Sequence, residues 1–161
     1  MPELAGIGLG ANLGAARATL DAAQHALAAL PGTTLRAASS IYRSAPIDSS
    51  GPDYLNAVVL LDTLLAPHAL LSELQRIEHD HGRERPYRNA PRTLDLDLLF
   101  CAARRIHTKT LTLPHPRLHE RAFVLHPLAE LVPGLMIPGR GVVADLLAGV
   151  SGQRIDKLPP C

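Results

Sequence analysis

The chain has 161 residues, 47% of them hydrophobic, 19% charged and only 3% aromatic, which predicts one ordinary domain over residues 1–161 with a substantial core. Sixteen Lys and Arg against fifteen Asp and Glu leave a net charge of +1, so no global field gathers nucleic acid or an anionic membrane. No apolar run approaches the ~20 residues of a spanning helix, the N-terminus lacks the blocks of a signal peptide, and two cysteines make no disulfide framework; the expectation is a cytoplasmic protein.

Ala5 to Leu9 reads as a strand that leaves through Gly10, Asn12 and Gly14. Leu20, Ala23, Leu27 and Leu30 then recur at helical spacing until Pro31-Gly32, giving an amphipathic helix. A strand over Leu35 to Arg43, a loop rich in Pro, Asp, Ser and Gly, and a strand over Asp53 to Thr63 follow. Pro67 suits the first turn of a second helix whose stripe is Leu70, Leu71, Leu74 and Ile77, ending at Gly82. After an arginine- and proline-rich loop, Thr93 to Phe100 alternates as a strand with Leu94, Leu96 and Leu98 on one face. The order β-α-β-β-α-β predicts an α+β fold with a ferredoxin-like core, a mainly antiparallel sheet with helices packed on it. The C-terminal extension adds a Pro-His-Pro turn, an apolar helix around Phe123 to Leu131 and a short helix near Val142 to Leu147.

The sharpest chemical feature lies in that last strand. Asp95 and Asp97 are two apart, so both carboxylates face one side roughly 6 to 7 Å apart, where they repel unless a cation sits between them. Oxygen-only ligands suit a hard ion, Mg²⁺ above all; the alternative is a solvent-facing strand protected by its charge. Arg76, Arg83, Arg85, Arg88 and Arg92 run directly into this strand, which suits a polyphosphate, although a solvated loop would have the same composition. Asn56 stands among apolar neighbours in its strand, so its amide must be paired. It either reads the mixed donor and acceptor edge of a heterocycle or braces a neighbouring loop. Gly8-Leu-Gly10-Ala-Asn12-Leu-Gly14 misses the dinucleotide fingerprint because Leu13 stands where the third glycine belongs, and a Walker A loop is absent.

Tyr54-Leu-Asn56, Gly82-Arg83, Pro91-Arg92-Thr-Leu-Asp95-Leu-Asp97, Leu113-Pro-His115 and Arg121-Ala-Phe123, all in this order, resemble the 6-hydroxymethyl-7,8-dihydropterin pyrophosphokinase family from about residue 5 to 158. The resemblance implies a ferredoxin-like fold and transfer of the β,γ-diphosphate of ATP to the hydroxymethyl oxygen of a reduced pterin, releasing AMP, in folate biosynthesis. It implies that Asp95 and Asp97 hold two Mg²⁺ ions and that Arg83 and Arg92 neutralise the migrating group. Arg85 would help these arginines, and His115 and Arg121 would hold the phosphates, with Gln75, Glu78, Leu98 and Thr112 along the nucleotide. Asn56 would read the pterin edge, Phe123 would stack on its face, Tyr54 would shape the pocket, and Ser44, Ala45 and Ile47 would offer backbone groups. No protein partner, nucleic acid or membrane is implied.

Overall fold

The computed structural model describes residues 1–12, 16–45, 53–83 and 94–159, without the side chains of residues 82 and 83. The expected positions Ile47, Arg85, Arg88 and Arg92, and most of the arginine loop, lie outside the described residues.

The alternating and apolar segments form one antiparallel sheet. Its strands are β1 (Glu3–Ala11), β2 (Thr33–Ala38), β3 (Tyr42–Ser44), β4 (Tyr54–Thr63), β5 (Asp95–Cys101) and β10 (Ile155–Lys157). They run in the order β10-β3-β4-β1-β5, with β2 also paired to β4. The predicted strand from Leu35 to Arg43 is therefore two strands that share β4 as partner: β2 pairs along 59–63 and β3 along 54–56. The break falls at Ser39. Its hydroxyl accepts from the Val58 N–H at 2.9 Å and donates to the Ser40 carbonyl at 2.7 Å, so a side-chain bond takes the place of one ladder bond while the Ser39 N–H still donates to the Val58 carbonyl.

Helix α1 (Ala16–Ala28) and helix α2 (Pro67–Glu78) cover one face of the sheet. Their stripes Leu20, Ala23, Leu27, Leu70, Leu74 and Ile77 meet Ala5, Ile7, Leu9, Val59, Leu61, Leu94, Leu96 and Leu98 in one core. At the predicted end of α2 the chain continues as a π-helical turn, His79–Arg83. The second face carries α3 (Ala122–Leu131) and α4 (Val143–Leu146), whose Val124, Leu125, Leu128 and Val143 pack on Val58, Leu60, Leu99 and Phe100. Leu98 and Leu99 are adjacent yet serve opposite faces, as strand alternation requires, and a bulge between Gly6 and Ile7 absorbs the irregular pairing beside them. Short hairpins β6–β7 (Ile106–His107, Thr112–Leu113) and β8–β9 (Met136–Ile137, Gly141–Val142) complete the described chain. No helix among the described residues is long and apolar enough to cross a membrane.

Candidate active site

Helix α3 covers only part of its face. Beyond its first turn the sheet lies open, and a cleft of about 310 Å³ is lined by Gly8, Gly10, Ser44, Ala45, Tyr54, Asn56, Asp95, Asp97, Arg121 and Phe123. Strand register explains its plan. Gly10 pairs with Asn56 on one side and Asp95 on the other, while Gly8 pairs with Val58 and Asp97. With strands ~4.8 Å apart, the amide of Asn56 and the Asp95 carboxylate arise from backbones roughly 10 Å apart, and nothing rises from β1 between them. A Cβ at Gly10 would lie 3.4 Å from Asn56 Oδ1, so the glycine leaves a flat floor beside that acceptor. The Gly8 and Gly10 pattern thus reads as a floor for a planar ligand, a role that sequence reasoning missed. The available signal was two glycines spaced i, i+2 in a strand whose other face is Ile7 and Leu9.

At one end of the floor the groups are buried and bonded to each other. Asn56 is 4% exposed, and its Nδ2 donates to Ser44 Oγ at 2.7 Å. The buried amide is paired, as expected: it braces β3 through Ser44, and it also lines the cleft. Tyr54 stands two residues along on the same face, and Phe123 projects from the first turn of α3. The Arg121 guanidinium carbon sits 5.4 Å from the Phe123 ring centroid, close enough for a cation–π contact.

At the other end the groups are charged and half open. Asp95 and Asp97 share the cleft face of β5, as their spacing predicted, with Leu96 and Leu98 turned into the core behind them. Arg121 Nη1 lies 3.8 Å from Asp97 Oδ2, so one guanidinium touches both ends of the cleft. His115 follows Pro114, and its N–H donates to the Leu99 carbonyl at 2.8 Å, which fastens this turn to β5. Its Nδ1 accepts from the Arg117 N–H at 3.1 Å, leaving Nε2 to carry the proton of the neutral ring. Burial, with help from Arg121 and Arg117, lowers its pKa against the opposing pull of Asp97, so the neutral ring dominates at pH 7.

The expected nucleotide residues are less tightly grouped. Gln75 is exposed, whereas Glu78 three residues on is buried and its Oε2 accepts from the Leu96 N–H at 2.8 Å. The helical pair therefore points to two environments rather than one. Leu98 is a core side chain on the α1–α2 face, and Thr112 is half-buried opposite His107 in the β6–β7 hairpin. Arg83 ends the π-helical turn. Two carboxylates and no thiolate face the cleft, a donor set that fits a hard divalent cation completed by phosphate and water oxygens. Among the described residues no group of three or more His, Cys, Asp or Glu could hold a metal without such outside ligands. Cys101 contributes nothing here; burial raises its thiol to about 11.

Comparison with known proteins identifies the family. Residues 6–133 match the family described as 7,8-dihydro-6-hydroxymethylpterin-pyrophosphokinase. The chain is 41% identical over 155 residues to the 2-amino-4-hydroxy-6-hydroxymethyldihydropteridine pyrophosphokinase of Haemophilus influenzae, covering 96% of this chain and 97% of that one. It is 42% identical over 154 residues to the protein of the same name from Pseudomonas aeruginosa, with 95% of each covered. Among solved structures, wild-type Plasmodium falciparum HPPK-DHPS with pteroate superposes with a TM-score of 0.75 at 13% identity. That match covers 92% of this chain and 44% of the longer one and speaks for the fold alone.

Proposed function

The chain belongs to the 7,8-dihydro-6-hydroxymethylpterin-pyrophosphokinase family, and from that premise we propose how its cleft performs the transfer. The protein is a pyrophosphokinase: it moves the β,γ-diphosphate of ATP to the hydroxymethyl group of 6-hydroxymethyl-7,8-dihydropterin in folate biosynthesis. The hydroxymethyl oxygen attacks the β-phosphorus, the bond from that phosphorus to the α–β bridging oxygen breaks, AMP leaves, and the alcohol proton is released.

The pterin lies on the glycine floor, with Asn56 reading its amide and amino edge, Tyr54 closing the slot and Phe123 covering the ring. Ser44 and Ala45 border it with backbone groups, and Ile47 would add another. This puts the C6 substituent toward Asp95 and Asp97, across Gly10. These two carboxylates would hold two Mg²⁺ ions, which supply charge neutralisation on the triphosphate and a lowered pKa of the attacking alcohol. Arg121, already beside Asp97, and neutral His115 through Nε2–H bind phosphate oxygens. Arg83 and Arg92, with Arg85, neutralise charge on the migrating group. Gln75, Leu98 and Thr112 border the nucleotide, Leu98 through its backbone because its side chain is in the core, while buried Glu78 supports them by holding the Leu96 N–H of β5.

The element order β1-α1-β2-β3-β4-α2-β5, with α1 and α2 on one face, supports a ferredoxin-like core followed by an extension after Cys101. We read residues 1–161 as one such domain, working in the cytoplasm on small molecules alone.

The observation that carries this reading is that Asn56 and the Asp95–Asp97 pair face one cleft across Gly10. Incubation with Mg²⁺, ATP and the hydroxymethyl dihydropterin tests it: AMP and a pterin diphosphate form in equal amounts. ADP with a pterin monophosphate would place the attack at the γ-phosphorus and overturn the mechanism.

A further inference from the structure

A cluster away from the reacting groups ties the pterin end of the cleft together. Glu130, on the last turn of α3, gathers three segments. Tyr42 Oη donates to Glu130 Oε1 at 2.7 Å, Ser40 N–H and Oγ donate to Oε2 at 3.0 and 3.1 Å, and Lys157 Nζ of β10 lies 3.8 Å from Oε1. Hydrogen bonds to a carboxylate are about twice as strong as neutral ones, and each donor here belongs to the chain that forms or flanks β3.

Tyr42 is the link to the site. It is 7% exposed and pairs directly with Asn56 in the β3–β4 register, so the two side chains stand on the same face with Cβ atoms roughly 5 Å apart. Asn56 therefore has a large ring on its β3 side, the Ser44 hydroxyl diagonally ahead, and only glycine on its β1 side. With those neighbours the amide leans over the floor, its Oδ1 3.4 Å from where a Gly10 Cβ would stand. The same helix carries Phe123 on its first turn and Glu130 on its last, so the clamp ties the strand beside Asn56 to the element that bears the ring.

We infer that Glu130 and Tyr42 are positioning residues of the pterin pocket, acting on Asn56 through β3. This rests on the pterin reading of the cleft. Neither residue lines the cleft, so neither touches substrate.

The test uses Tyr42→Phe, which keeps the ring and removes the hydroxyl, and Glu130→Gln, which keeps the shape but puts a donor against the Ser40 or Tyr42 donors. Binding of 6-hydroxymethylpterin is titrated with the protein saturated in Mg²⁺ and an ATP analogue carrying a methylene at the α–β bridge, which blocks transfer. Binding of that analogue alone is titrated separately. Each variant weakens pterin binding about threefold to tenfold, the scale of one lost hydrogen bond, and leaves analogue binding within twofold. In an Asn56→Ala background Tyr42→Phe adds no further loss, because the residue through which it acts is gone. Equal weakening of both ligands, an undiminished Tyr42→Phe effect without Asn56, or unchanged pterin binding in Tyr42→Phe overturns the proposal. Failure of the wild-type protein to make AMP would instead remove the pterin reading itself, so the two failures are distinct.

Discussion

The two ends of the cleft are built on opposite plans. At the amide end the polar groups are braced by the protein itself: Asn56 Nδ2 on Ser44, and Tyr42 and Ser40 on Glu130. At the carboxylate end Asp97 keeps 41% of its side chain exposed and meets Arg121 only at 3.8 Å. The first end is finished before a ligand arrives, which gives shape and discrimination at little ordering cost. The second has like charges side by side and an open face, so in the proposed mechanism its strongest interactions form with cations and phosphate, where charge moves during reaction. In that mechanism one end selects the acceptor and the other does the chemistry.

Removing a carboxylate should therefore produce the largest loss. Asp95→Ala and Asp97→Ala are each expected to lower kcat by a thousandfold or so, the scale of losing a major electrostatic contact, with melting temperature shifted by only about 2–4 °C. Steady-state rates at saturating Mg²⁺ alongside a thermal melt check this. Near-wild-type turnover in either variant would erase the division between the two ends.

The amide end should fail differently. Asn56→Ala is expected to raise the KM for the pterin by about 10- to 100-fold, as an unpaired polar edge of the ligand would, while the KM for ATP stays nearly constant. A parallel rise in both constants would mean that the amide supports the sheet and not the ligand.

The glycines of β1 sharpen the contrast within one strand. A Cβ at Gly6 would fall 2.2 Å from the Phe100 ring, whereas at Gly10 the nearest atom is Asn56 Oδ1 at 3.4 Å. Gly6→Ala should cost about 1–3 kcal/mol by overpacking and leave the affinity of the remaining folded protein intact. Gly10→Ala should not lower stability, since alanine suits a strand interior better by roughly 0.5–1 kcal/mol, yet should weaken pterin binding severalfold by raising the floor. Denaturant melts and pterin titrations on the pair would separate the two; a destabilised Gly10→Ala with normal affinity would show that the floor is merely packing.

These contrasts also explain what could be read from the chain. Apolar runs bounded by turn residues placed β1 and β4, alternation placed β5, helical stripes placed α1 and α2, and the spacing of Asp95 and Asp97 fixed their shared face, because all of these are local signals. The division of β2 from β3 was invisible, since it depends on the Ser39 hydroxyl meeting a β4 amide nineteen residues away. Gln75 and Glu78 seemed one pair because i and i+3 are neighbours on a helix, but Glu78 is drawn inward by an unpaired N–H at the start of β5. Glu130 carries no motif at all. Its role comes from donors ninety residues earlier in the chain and from Lys157, a convergence that only the folded sheet creates.

The smallest expected effect concerns that carboxylate and pH. Burial alone would push the Glu130 pKa up, but the Tyr42 hydroxyl, the two Ser40 donors and Lys157 outweigh it and hold it below the usual value of 4.5. A carboxyl with a depressed folded-state pKa contributes stability that is fully present above its unfolded pKa and is lost as pH falls through the folded value. Once protonated, Glu130 has the shape and neutrality of glutamine. The melting temperatures of wild type and Glu130→Gln should therefore differ by about 2–4 °C at pH 6 to 8, the shift expected for roughly 1 kcal/mol in a domain of this size. The gap should close as pH drops below 4.5, because the wild type comes to resemble the variant. Melts across that range read the gap directly. A gap that stays constant down to the lowest pH at which both proteins fold would mean that the clamp holds β3 by shape, with the charge on Glu130 contributing nothing.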